Sequence, residues 1–236
     1  MKQLSKSKSI IFHLYPGVLI TFGFIFLTPI CTSHGYPPQF GMLAAIVLVA
    51  IPVLSIHLFQ AKKEEGLDSI AAVNGFTSKL PAGKLFLYVP GLVVAAFIVW
   101  GVTQPADIYL NHTLFAWLPK WYSVQNFSGY ATGKVKTTLV LNLLLNGLVA
   151  PLAEEVYFRG YLLPRMKTWG KYAFVVNAVL FSIYHFWQPY VYLTLILALM
   201  PMIYLVYKTR DLRLGILTHS LLNITGAVLS LAMLYK

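Results

Sequence analysis

The sequence predicts an all-α protein, a polytopic transmembrane helix bundle of about 7–8 spans with interfacial helices in the longer loops. Three observations carry that prediction. The chain is 58% hydrophobic and only 11% charged, where a soluble domain carries about 25% charged residues. Its mean hydropathy is +0.70. The apolar residues gather into stretches close to the roughly 20 that a helix needs to cross a bilayer. The 236 residues are read as one integral membrane domain, 1–236, with no room for a sizeable soluble one.

By this rule the spans fall at 10–30, 40–60, 85–103, 137–155 or beyond, 172–187, 190–207 and 214–234. The first follows Lys2, Lys6 and Lys8 and resembles a secretory signal. It is too long for a signal core of about 7–15 residues, and Ile30 stands where a cleavage site wants a small residue, so it is read as a retained span. The pair 172–187 and 190–207 is two crossings or a re-entrant turn at Gln188–Pro189. Two connections are long. Residues 61–84 mix charges with apolar residues at helical spacing, which suits a short interfacial helix. Residues 105–136 carry Tyr109, Trp117, Trp121, Tyr122 and Tyr130, an aromatic set suited to the headgroup belt. Either connection serves surface packing or gates a cleft.

The net charge of +11 does not indicate nucleic acid, because the basic residues are scattered between apolar segments. With the N-terminus inside, fourteen Lys and Arg residues fall in inner segments and four in outer ones. That bias puts the N-terminus in the cytoplasm of what is expected to be a bacterial plasma membrane. One cysteine, Cys31, excludes an internal disulfide, a four-thiolate metal site and a thiol redox pair.

Only seven residues are acidic, and Glu154 and Glu155 are the two that fall inside or against hydrophobic stretches. An ionisable residue in the bilayer costs about 2.5–3.5 kcal/mol on insertion scales, so it marks a functional site by default. Glu155 and Arg159 are four apart with the Glu first, the favourable order for an ion pair on one helical face. Glu154 points about 100° away. Phe181 and His185 share a face by the same spacing, as do His219 and Asn223.

Depth constrains how these residues meet. A fourth helix ending at Glu155 would leave the glutamates at the inner surface and His185 near the outer one. A helix that continues to Pro164 places Glu154 roughly 15 Å from the inner end, with His185 and His219 roughly 20 Å and 16 Å deep. The extended helix is therefore expected, with Arg159 paired inside the membrane. The Glu155–Arg159 pair is read as a structural staple; Glu154 is not, because no second cation in this stretch would neutralise it. His13, His34, His57 and His112 have no such company and are read as structural or interfacial. Ser182 and Ser220 lack the base–carboxylate pair of a catalytic triad.

The segments EEVYFR at Glu154–Arg159, FSIYH at Phe181–His185 and HSLLN at His219–Asn223 resemble the three motifs of the CPBP (Abi) family of intramembrane proteases. This family includes the CAAX-processing endopeptidases. The resemblance covers roughly Leu139 to Leu234, the motif-bearing core lying in 136–236. It implies an endopeptidase cleaving a membrane-associated peptide or protein in the bilayer, with no cofactor and no nucleic acid. It implies that Glu154 activates a water with help from His185, that His219 and Asn223 form the oxyanion hole, and that Glu155, Arg159 and Phe181 shape the site. Three alternatives stand beside it. One is a zinc-dependent version, since Glu and His are legitimate ligands, although HExxH is absent. Another is a non-catalytic scaffold or regulator of the same fold. The last is a transporter, disfavoured because no inverted repeat is visible.

Overall fold

A computed structural model describes residues 1–233; Leu234, the end of the last expected span, and Lys236 lie outside the described residues. Seven helices follow one another: α1 (Lys6–Ser33), α2 (Pro38–Glu64), α3 (Ala82–His112), α4 (Thr132–Arg165), α5 (Ala173–Tyr184), α6 (Tyr192–Thr209) and α7 (Leu212–Met233). Six helical segments among the described residues are long and apolar enough to cross a membrane. The expected span 172–187 is the exception: α5 has 12 residues, about 18 Å, shorter than the bilayer core. The chain then turns through Pro189–Val191 and returns as α6.

Each helix begins and faces as its residues dictate. The Ser5 side chain caps α1 by accepting from the Lys8 N–H, and Pro38 opens α2 at a position where a missing N–H costs nothing. The buried residues of α1, Ser9, His13, Pro16, Gly17, Ile20, Phe24 and Thr28, form one stripe at helical spacing. The opposite face carries Phe22, Phe26 and Ile30, exposed apolar side chains that belong against lipid. Close approach relies on small residues. A Cβ on Gly17 would overlap the Tyr184 carbonyl of α5, and one on Gly41 would overlap Thr28. Helix α3 is peripheral, burying only Val89, Ala96, Thr103 and Asp107.

Asp107 corrects the sequence reading. It was expected in the loop after residue 103, but α3 runs to His112 and buries it; Thr194 of α6 donates to its carboxylate at 2.7–2.8 Å. A third carboxylate therefore lies inside the apolar bundle.

Each of the two long connections contains a 3-10 turn, Ala71–Val73 where a short interfacial helix is expected and Lys120–Tyr122 in the aromatic segment. Residues 65–81 form a strap across one end of the bundle. Arg165 at the end of α4 binds Glu65 through Nε and NH2 at 2.9 and 3.0 Å, and its NH1 donates to the Val73 carbonyl. Gly75 N–H donates to Gly160 O, Ser78 N–H to Arg210 O, and Leu80 N–H to Asp211 Oδ2. The Arg165 hydrogen bond holds the Glu65 carboxyl below its ordinary range. Leu4 N–H reaches Arg165 O, so the N-terminus joins this same end. The other connection folds inward at the opposite end: Trp121 and Tyr122 pack on Phe24, and the buried Tyr122 hydroxyl donates to Phe186 O at 2.8 Å. Trp117 stays 75% exposed, in keeping with a headgroup-belt position.

Candidate active site

Helix α4 runs unbroken from Thr132 to Arg165, past both glutamates, and its path changes register twice. Leu145–Val149 and Glu155–Leu162 adopt the wider π-helical turn, a form that recurs at functional sites. In the first, Ala150 N–H bonds Leu145 O. The next potential donor is Pro151, which has no N–H, so Asn146 O is left without a helical partner. Asn223 of α7 supplies one, its Nδ2 donating to that carbonyl at 2.8 Å.

The second π-segment opens with Glu155. Its side chain is fully buried, and Oε1 lies 3.0 Å from Arg159 NH1 and 3.0 Å from His219 Nδ1. Because the carboxylate accepts, His219 carries a proton on Nδ1 and turns Nε2 toward Glu154, 3.9 Å from Oε2. The Glu154 side chain is 12% exposed where Glu155 is sealed at 0%. The two neighbours thus differ in access as well as direction. Arg159 is also fully buried, its guanidinium 3.8 Å from the Phe181 ring centroid. That distance is a close cation–π contact.

Helix α5 brings the second motif. Phe181 and Tyr184 have no exposed surface and stack at 5.7 Å. The Phe181 ring stands edge-to-face to His185 at 4.9 Å and to His219 at 6.0 Å. His185 ends the helix and its Nδ1–H donates to Phe181 O at 2.8 Å, leaving Nε2 as the acceptor. Among the described hydrogen bonds His185 and Asn223 make none to Glu154; the His185 ring packs against Tyr184, which reaches Glu154, and Asn223 bonds the Asn146 carbonyl of the same helix α4.

Two participants escaped the sequence reading. Tyr184 donates its hydroxyl to Glu154 Oε1 at 3.2 Å. The signal was present: a tyrosine inside a span needs a partner for its hydroxyl, and this one adjoins His185 within FSIYH. Gly215 is the other. A Cβ there would stand 2.5 Å from Glu155 Oε2 and 3.2 Å from Val206 Cγ2. Gly215→Ala should therefore destabilise the fold by about 1–3 kcal/mol through overpacking against a carboxylate that cannot swing into solvent. A thermal unfolding midpoint in detergent checks this, and an unchanged midpoint contradicts the packing shown.

The remaining histidines within spans are tied into packing. His13 bonds Ser9 O and Asn177 Nδ2, and His57 bonds the Tyr15 and Tyr157 hydroxyls. Among the described residues no group of three or more His, Cys, Asp or Glu side chains is arranged to hold a metal ion.

The fold and this geometry define an integral membrane protein with a carboxylate–imidazole cluster sunk between helices. Residues 136–225 match the family described as Rce1-like, type II CAAX prenyl endopeptidase Rce1-like. That segment holds all three motifs, and its match supports the resemblance of this part of the chain to the CAAX-type endopeptidases of the CPBP family. No curated protein and no solved structure matches the chain.

Proposed function

We propose that the protein hydrolyses a peptide bond of a membrane-associated protein or peptide, using Glu154 as general base on a water molecule and no metal. The observation that carries this reading is the asymmetry of the glutamates. Glu155 is neutralised and sealed, whereas Glu154 keeps partial access and faces His219. A carboxylate in a low-dielectric site is a stronger base than in water.

In the proposed reaction the water gives a proton to Glu154 as its oxygen bonds to the scissile carbonyl carbon. His185 Nε2 accepts a hydrogen bond from the same water and orients it. The carbonyl oxygen becomes an oxyanion that receives hydrogen bonds from Asn223 Nδ2, which has a second N–H beyond the one given to Asn146 O, and from doubly protonated His219 through Nε2. With His219 in that form, the charges of Glu154, Glu155, Arg159 and His219 sum to zero, which suits an apolar setting. Collapse breaks the C–N bond, and the proton held by Glu154 passes to the leaving amine. The basic end of the bundle, where Lys2, Lys62 and Lys208 gather, is assigned to the cytoplasm of a bacterial plasma membrane.

Asn223→Ala should lower kcat by about 100-fold or more with KM little changed, as loss of a transition-state donor costs about 3–4 kcal/mol. Cleavage of a CAAX-type peptide by the reconstituted protein reads both constants. A rise in KM alone would remove Asn223 from the oxyanion site. Full activity after exhaustive treatment with a strong chelator is expected; loss that zinc restores would replace the metal-free mechanism.

A further inference from the structure

At the end of the bundle closed by the strap lies a cavity of about 620 Å³ that none of the motif residues lines. Its volume falls in the range of small-molecule sites, about 300–1,000 Å³. Lys167, Lys208 and Arg210 line it, together with apolar surface from Phe76, Met166 and Tyr207, and no acidic residue does. The carboxylates near it are already committed. Glu65 is held in a two-point pair with Arg165, and Asp211 is held by Arg213 at 2.6 Å and by the Leu80 N–H. Among the described residues none of the three lining cations has a carboxylate partner; Lys208 only approaches the Tyr204 ring at 5.8 Å.

Arg210 adds a second argument. It terminates α6 with φ 57°, the only non-glycine residue with positive φ among the described residues. Helices commonly end this way on glycine, which adopts the conformation without a Cβ penalty. An arginine kept there presents a guanidinium where glycine would be the easier choice.

We propose that this cavity binds the phosphate of an anionic phospholipid, with the headgroup on Lys167, Lys208 and Arg210 and the glycerol and upper acyl carbons on the apolar wall. Basic pockets between helix ends at the membrane surface suit that ligand. The apolar lining and the position at the ends of spanning helices favour lipid over free phosphate.

The test uses the full chain in nanodiscs. Lipid retention is read by native mass spectrometry in three arms: phosphatidylglycerol, phosphatidylcholine, and phosphatidylcholine with inorganic phosphate. Wild type should retain phosphatidylglycerol selectively. Arg210→Gly should bind it about fivefold more weakly, the effect of one cation near an anionic headgroup. That variant relieves the backbone conformation, so a folding defect is not expected to mimic the loss. Lys63→Gln, at the same end but outside the cavity, should bind as wild type. Equal retention of the two lipids, equal binding by Arg210→Gly, an equal loss in Lys63→Gln, or occupancy by inorganic phosphate alone would each overturn the proposal.

Discussion

Glu154→Gln should abolish turnover, lowering kcat by about 100- to 10,000-fold, the usual contribution of a positioned general base. The substitution keeps the size of the side chain and an oxygen able to accept from Tyr184, whose hydroxyl lies 3.2 Å from Oε1. Helix α4, the Glu155–Arg159 pair and the Glu155–His219 contact do not depend on a charge at 154, so the variant should fold and retain its substrate. What it loses is the basic lone pair. Single-turnover cleavage of a CAAX-type peptide measures the loss, and binding of the same peptide by the variant shows that the site is intact. Cleavage that persists in Glu154→Gln would remove Glu154 from the role of base, whereas a wild type that binds the peptide and leaves it uncleaved would put a scaffold or regulator of the same fold in place of the protease. Tyr184→Phe separates positioning from chemistry at this residue. It removes one hydrogen bond to Glu154 and should give a partial loss of kcat.

Arg159→Ala should damage the protein before it damages the reaction. Arg159 and Glu155 have no exposed side-chain surface, and their charged atoms lie 3.0 Å apart. Removing the cation leaves Glu155 charged and unpaired in an apolar interior, at a cost of about 3–5 kcal/mol, and opens a void beneath Phe181. Folded yield and unfolding midpoint should both fall. Glu155→Gln in the same background should recover part of the loss, because it removes the stranded charge. Normal yield of Arg159→Ala with lost activity would instead move Arg159 into the catalytic group. Burial without complete hydrogen bonding gives this pair little net stabilising value. Arg159 Nε and NH2 and Glu155 Oε2 have no hydrogen-bond partner among the described residues.

Much of the fold was legible because the bilayer restricts the choices. A chain that is 58% hydrophobic with apolar stretches of spanning length folds into helices, since no other open structure satisfies its backbone in hydrocarbon. The expected extension of α4 past the charges came from depth alone, and the helix does run to Arg165. Helical spacing brought Glu155 to Arg159, which stand 3.0 Å apart. Asp107 shows where that reasoning stops: the end of an apolar run at residue 103 looked like the end of a helix, but α3 continues to 112 and the Asp107 carboxylate accepts from Thr194 on another helix. Helix α5 shows the same limit from the other side. Its apolar run was long enough for a span, yet the helix ends at Tyr184, beneath a loop that folds inward onto Phe186.

By itself, then, the sequence determined an apolar helical bundle and its three motifs, because period and hydropathy are local properties of the chain. Only the tertiary structure decided how the residues face one another. His219 lies between the two glutamates, Tyr184 holds Glu154, and Asn223 is anchored by a carbonyl that Pro151 leaves unpartnered. Each of these contacts joins residues at least thirty positions apart, on different helices. Their geometry depends on how the helices pack, and no periodicity within a single helix carries that information.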